Sequence, residues 1–174
     1  LSVVAFPTIP IPALAVGIGL KPAHYSTALD GGRVVDFFEI HAENFMGAGG
    51  PPHRWLQRFR EQYPISIHGV CLSVGGRDSL DCEHLARLAT LVSRYEPALV
   101  SEHLAWSADG GFHFNDLLPP PLTEKSLRRI SDHVDRIQTA LKRQVLIENP
   151  SSYFRIEPIG IPEPQFLNEL AAQT

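Results

Sequence analysis

"PISIHGV", residues 64–70, reads as a short buried strand: a proline opens it, Ile65 and Ile67 are β-branched, and a glycine closes it. Four other runs share this character: "ALAVGIGL" (13–20), "VVDFFEIH" (34–41), "PALVSEHL" (97–104) and "QVLIEN" (144–149). Val145, Leu146 and Ile147 of the last run are expected to be the end of a buried strand.

Segments of helical period separate most of these runs. "PPHRWLQRFREQY" puts Trp55, Leu56, Phe59 and Tyr63 on one face, with Pro51 and Pro52 suited to a first turn and a basic, solvated opposite face. "DCEHLARLATLVSRY" repeats the device with Leu85, Leu88, Leu91, Val92 and Tyr95. "TEKSLRRISDHVDRIQTAL" does so with Leu127, Ile130, Val134, Ile137 and Leu141, and "PQFLNELAAQT" with Phe166, Leu167, Leu170 and Ala171. Strands alternating with helices predict an α/β protein with parallel strands. A (β/α)8 barrel takes about 250 residues, so residues 1–174 are expected to form a single domain, the N-terminal two-thirds of a TIM barrel truncated after about five strands. The competing architecture is an open, doubly wound sheet.

The composition is that of a globular chain, 44% apolar and 20% charged over 174 residues. A net charge of -4 and a pI near 6.0 supply no general basic field for nucleic acid or an anionic membrane. No apolar run approaches the roughly 20 residues that span a bilayer. The opening "LSVVAFPTIPIPALAVG" lacks a basic leader and reads as an extended arm into the first strand. Cys71 and Cys82 are the only cysteines, without C-x-x-C spacing, which fits a reducing cytoplasm; Cys71 is expected to be a buried or half-buried thiol.

Ligands of parallel α/β folds gather at the carboxyl ends of the strands. There the chain carries Glu39, His41, Glu43 and Asn44, then His68, then Glu102 and His103, then Glu148 and Asn149. Side chains alternate along a strand, so His68 shares a face with Ser66 and His103 with Ser101. Two imidazoles and the Glu148 carboxylate from three successive strands make the ligand set of a zinc or ferrous iron site with vacant positions. A metal ion would also explain a carboxylate at the edge of a core, which is costly without a partner. Glu39 and Glu43 are candidates for fixing a histidine tautomer. Glu102, on the face opposite His103, is assigned to a salt bridge, and His53, His84 and His133 to solvated helix faces.

"GIGLKPAHY" lacks the third glycine and opening helix of a dinucleotide fingerprint, but its Lys21 and His24 face the same strand ends. "MGAGGPPH" and "SVGGRD" read as flexible turns over a site. "FHFNDLLPPPLTEK" reads as a long excursion able to line a groove for an extended substrate.

"GIGLKPAHY", "FFEIHAENFMGAGGPP", "SIHGVCLSVGG", "LVSEHLAWS", "FNDLLPPPLTEKSL" and "VLIENPSSY" follow one another in the order found in the multinuclear non-haem iron-dependent oxidases, and from about residue 14 onward the chain resembles that family. The resemblance implies a TIM barrel related to xylose isomerase and endonuclease IV, holding two or three irons. It implies His68, His103 and Glu148 as metal ligands, with Glu148 bridging to a second ion. It further implies an enzyme that uses dioxygen to remodel cysteine or other residues of a ribosomally made precursor peptide, served by a small peptide-delivering partner protein. His24, Asn44 and Asn149 are the candidates for substrate binding. Family members continue past the Pro164 helix with further ligands, so one complete metal site is expected here. Unpaired barrel edges would then favour oligomers. The alternatives are a metal-dependent hydrolase, nuclease or isomerase on the same barrel, and a non-catalytic peptide-binding fragment.

Overall fold

The computed structural model describes residues 10–32, 35–149 and 160–174. Most of the expected N-terminal arm (residues 1–9), Val34 of the second run and Pro150–Tyr153 of the last motif lie outside the described residues. The fold is α/β. Five strands, β1 (Gly17–Gly19), β2 (Phe37–His41), β3 (Ile65–Gly69), β4 (Leu99–His103) and β7 (Leu146–Glu148), form one sheet in the order β1-β2-β3-β4-β7. The β1–β2 and β2–β3 pairs are parallel, with Glu39 opposite Ser66 and His41 opposite His68. A second sheet, β5 (Trp106–Asp109) with β6 (Phe112–Leu118), is antiparallel. The chain divides into two compact units, residues 1–69 with 87–101 and residues 70–86 with 102–174.

In the first unit, α1 (Tyr25–Asp30) and α2 (Pro51–Arg60) accompany β1 to β3, and α3 (Cys82–Tyr95) contributes its C-terminal part. Gly50 takes a positive φ of 97° and hands over to Pro51 and Pro52 in the first turn of α2. Leu56 and Phe59 are fully buried; Phe38 meets the rings of Phe59 and Tyr63 edge-on at 5.0 and 4.9 Å. The other face of α2 is not simply basic and solvated. Arg60 is buried, because its Nε and Nη2 donate to the carbonyls of Tyr95 and Glu96 at the end of α3, which otherwise lack helical partners. His53 is also buried rather than solvated: it stacks on Tyr95, with Nδ1 2.7 Å from the Tyr95 hydroxyl and Nε2 2.7 Å from the Gly47 carbonyl. Burial pushes its pKa below the ordinary value.

In the second unit, α4 (Glu124–Leu141) starts on a capping box in which Thr123 and Ser126 exchange side-chain and backbone hydrogen bonds. Its stripe of Leu127, Ile130, Val134, Ile137 and Leu141 is buried as the 3-4-3-4 spacing requires. Helix α5 (Glu163–Gln173) buries Phe166 and Leu170 and joins α4 through Ser131–Gln173 and Gln138–Thr174 hydrogen bonds; Ala171 is exposed.

The "SVGGRD" loop, expected to be a flexible turn, is stitched down within this unit. Gly75 donates to the Ala105 carbonyl, Arg129 Nε to that of Gly76, and the Ser73 hydroxyl accepts from the backbone of Ser107 and Ala108. Arg77 pairs with both Asp109 oxygens at 2.9 and 3.0 Å. A Cβ on Gly75 would lie 3.0 Å from the Ala105 carbonyl carbon, so the close approach needs glycine. His133, expected in solvent, is buried with Nδ1 2.9 Å from the Val74 carbonyl, a buried acceptor that needs a donor. His84 is likewise buried, by its place in the first turns of α3. Conversely, both cysteines are exposed, Cys71 in the loop after β3 and Cys82 at the start of α3.

Two further expectations change. The excursion after β4 is a hairpin, turned at Gly110 and Gly111 with φ of 57° and 82°, the left-handed values that a two-residue hairpin turn demands. And β7 is not a buried strand: it stands at the end of the sheet order, and Leu146 is 52% exposed.

Candidate metal centre

β3 is buried along its whole length. The pleat turns Ser66 and His68 to one face, and each is held there. The Ser66 hydroxyl donates to Glu39 Oε2 at 3.3 Å, and His68 Nδ1 lies 2.8 Å from Ser101 Oγ. His41, directly opposite His68 in register, is exposed and meets its ring edge-on at 5.8 Å.

His103 ends β4 half-buried, and Glu148 ends β7 exposed. Here the backbone joins the two strand ends, since Leu104 N donates to the Glu148 carbonyl at 2.7 Å. One nitrogen each from His68 and His103 and one carboxylate oxygen from Glu148 lie within 4.8 Å of one another. Ligands on opposite sides of a zinc or iron ion, at about 2.1 Å each, are about 4.2 Å apart. The 4.8 Å limit is of that order. Two imidazoles and a carboxylate also have the right chemistry, neutral nitrogen donors and one anionic oxygen.

The other sequence candidates occupy separate positions. His24 is exposed at the end of the short 3-10 helix after β1, and Asn44 is exposed in the 3-10 turn Ala42–Phe45 after β2. Asn149, next to Glu148, donates from Nδ2 to Glu163 Oε1 at 3.0 Å. Glu43 is half-buried, and Glu102 is only 1% exposed, which places it in the interior rather than on the surface. The residue at His68 Nδ1 is Ser101. Its signal was present in the alternation that turns Ser101 to the same face as His103.

No helix among the described residues is long and apolar enough to cross a membrane. Over residues 15–174 the chain matches the family described as RiPP precursor modification enzyme MbnB/TglH/ChrH. It is similar to a UPF0276 protein of Paraburkholderia phytofirmans, 52% identical over 91% of this chain and 52% of that protein. UPF0276 protein RB0508 of Rhizobium meliloti is 50% identical over 100% of this chain and 56% of its own length. A UPF0276 protein of Caulobacter vibrioides is 46% identical over 92% and 57%. The chain thus spans about half the length of the curated relatives it matches. With the family's match covering nearly all of it, the chain belongs to the MbnB/TglH/ChrH family of RiPP precursor modification enzymes.

Proposed function

We propose that this chain carries the first metal site of an iron-dependent oxidase that modifies cysteine or another residue of a ribosomally made precursor peptide. The observation that carries the reading is the convergence of His68, His103 and Glu148 within 4.8 Å. His68 and His103 would hold the ion through imidazole nitrogens and Glu148 through its carboxylate. Iron, when bound, supplies the redox chemistry toward dioxygen that zinc lacks. The exposed position of Glu148 at the end of β7 fits a carboxylate that bridges to a further ion. His24, Asn44 and Asn149, all exposed, are the groups available to orient a peptide by hydrogen bonding. The β5–β6 hairpin begins three residues after His103 and exposes Phe112 by 75% and Phe114 by 43%, which fits contact with an extended apolar segment.

The barrel reading gains from the strand order. In a doubly wound sheet the order reverses at a switch point, whereas β1-β2-β3-β4-β7 follows the chain without reversal, as successive strands of a barrel do. Residues 1–174 would then be a single domain, the N-terminal two-thirds of a barrel of the xylose isomerase type. Leu14, Val16 and Ile18 in and before β1, and Leu146 in β7, are exposed apolar groups at the two edges. Exposed apolar edges of this kind fit association with other chains. A small peptide-delivering partner protein and a cytoplasmic setting complete the proposal.

The test is metal analysis with Mössbauer spectroscopy on protein handled without air, followed by exposure of a cysteine-bearing precursor peptide to the iron-loaded protein and air. Iron at the site and a mass change on the peptide are expected. Protein that takes up only zinc, with iron giving no peptide oxidation, overturns the reading.

A further inference from the structure

The contact between His68 and Ser101 carries a further consequence. Both side chains are buried, at 6% and 3% exposure, so neither exchanges its partner freely for water, and the Nδ1 to Oγ distance is 2.8 Å. A serine hydroxyl can donate once and accept twice, so the contact alone fits either imidazole tautomer. In one, Nδ1 accepts from the hydroxyl and Nε2 carries the proton. In the other, Nδ1–H donates to Oγ and Nε2 carries the lone pair. A nitrogen that carries a proton cannot ligate a metal, and ligating histidines donate their other N–H to a fixed acceptor. The nearby Ser66 shows the alternative role of such a hydroxyl. It sits beside the Glu39 carboxylate, which when ionised can only accept, so Ser66 donates.

We infer that Ser101 is a positioning residue that accepts from His68 Nδ1–H, fixing the tautomer and ring plane that present Nε2 as the ligand atom. The inference rests on the metal reading above for the use of Nε2, but the tautomer itself is a property of the chain without metal. It assigns to a serine the supporting role that a carboxylate or carbonyl commonly plays. A hydroxyl adds no charge to the centre.

The test uses the full chain and the variants Ser101→Ala, Ser101→Thr and Ser66→Ala. Long-range proton–nitrogen NMR of the metal-free protein reads the His68 tautomer directly. The expected result is Nδ1–H in the wild type, a mixed or reversed tautomer in Ser101→Ala, and no change in Ser66→Ala. Competition with a chromophoric chelator then reads Zn2+ affinity. Ser101→Ala should lose 10- to 100-fold, the range for removal of an outer partner, and Ser101→Thr, which keeps a hydroxyl, should recover most of the loss. A proton found on Nε2 in the wild type overturns the inference without recourse to any variant. So does a Ser101→Ala protein that retains both the wild-type tautomer and its Zn2+ affinity. If the wild type shows Nδ1–H and Ser101→Ala shifts it, yet neither protein binds Zn2+ or Fe2+, the tautomer assignment is supported and the metal reading is what falls.

Discussion

β3 and β7 each carry a candidate metal ligand at or next to the carboxyl end, His68 and Glu148, yet one strand lies wholly in the interior and the other is open to solvent. Along β3 every residue from Ile65 to Gly69 is buried, and its polar members are engaged, Ser66 by Glu39 and His68 by Ser101. Along β7, Leu146 and Glu148 are exposed and Ile147 half-buried. The two runs look alike in sequence, short, β-branched and carrying a polar residue near the carboxyl end. What separates them is place in the sheet, since β3 has β2 and β4 on its two sides whereas β7 ends the order. An interior imidazole is held in one orientation by its neighbours.

The largest effect expected from this contrast is on folding. Ile67→Ala, at a fully buried β3 position, should cost about 2–5 kcal/mol by urea denaturation. A loss under about 1 kcal/mol would show that the β3 interior is loosely packed. Next comes Glu148→Gln, which replaces an anionic ligand by a neutral amide. Metal affinity should fall by more than about 100-fold, exceeding the 10–100-fold cost of losing a supporting partner, with little change in the stability of the metal-free chain. Unchanged metal content would remove Glu148 from the centre.

Glu102 sharpens the comparison because it too is a strand-end glutamate, but buried at 1%. Glu102→Gln should lower stability by about 1–3 kcal/mol, the usual cost of disturbing a buried polar group, while leaving metal stoichiometry intact. Equal loss of metal in the two variants would mean that the faces of β4 are misassigned.

A smaller effect is expected from pH. Burial holds the His53 imidazole below its ordinary pKa of 6.5, opposed by the hydrogen bond to the Gly47 carbonyl. The unfolded chain therefore binds more protons than the native one just below that pH. The stability held by neutral His53 is full above about 6.5 and declines as pH falls through that value. Urea midpoints at pH 7.5 and 5.5 should differ more for the wild type than for His53→Gln; equal differences would mean that other groups dominate. The smallest effect belongs to Leu146→Ala on β7, which should stay within about 0.5 kcal/mol because the side chain is already 52% exposed. A loss like that of Ile67→Ala would show that something covers this edge in solution.

Much of the architecture was legible because local periodicity and the sheet ask for the same residues. The stripes of α3 and α4 are buried at the positions their spacing predicts, and Pro51, Pro52 and Pro164 stand in first turns. The hairpin was also within reach, since Gly110 and Gly111 punctuate its two strands. The segment expected to line a groove, "FHFNDLLPPPLTEK", starts with the second of them, β6 (Phe112–Leu118). His53, His133 and Arg60 were missed for another reason. Each lies outside the apolar stripe of its helix, and nothing local indicates that Tyr95, the Val74 carbonyl or the end of α3 will come to meet it. Cys71 was misjudged because a thiol's preference for burial is only a tendency, overridden by the loop that carries it.

By itself the sequence determined the parallel α/β order and the helix faces and nominated His68, His103 and Glu148 as candidates, because alternation along a strand and the run of strands are properties of the chain. Only the tertiary structure decided which strand is interior and which is an edge, and which hydroxyl reaches His68 Nδ1. It also turned polar helix residues into buried hydrogen-bonded ones. The physical reason is that burial and hydrogen bonding are settled by whichever partners long-range packing delivers, and residues 33 to 59 positions apart, as in Ser101–His68, Tyr95–His53 and Val74–His133, are invisible to any local pattern.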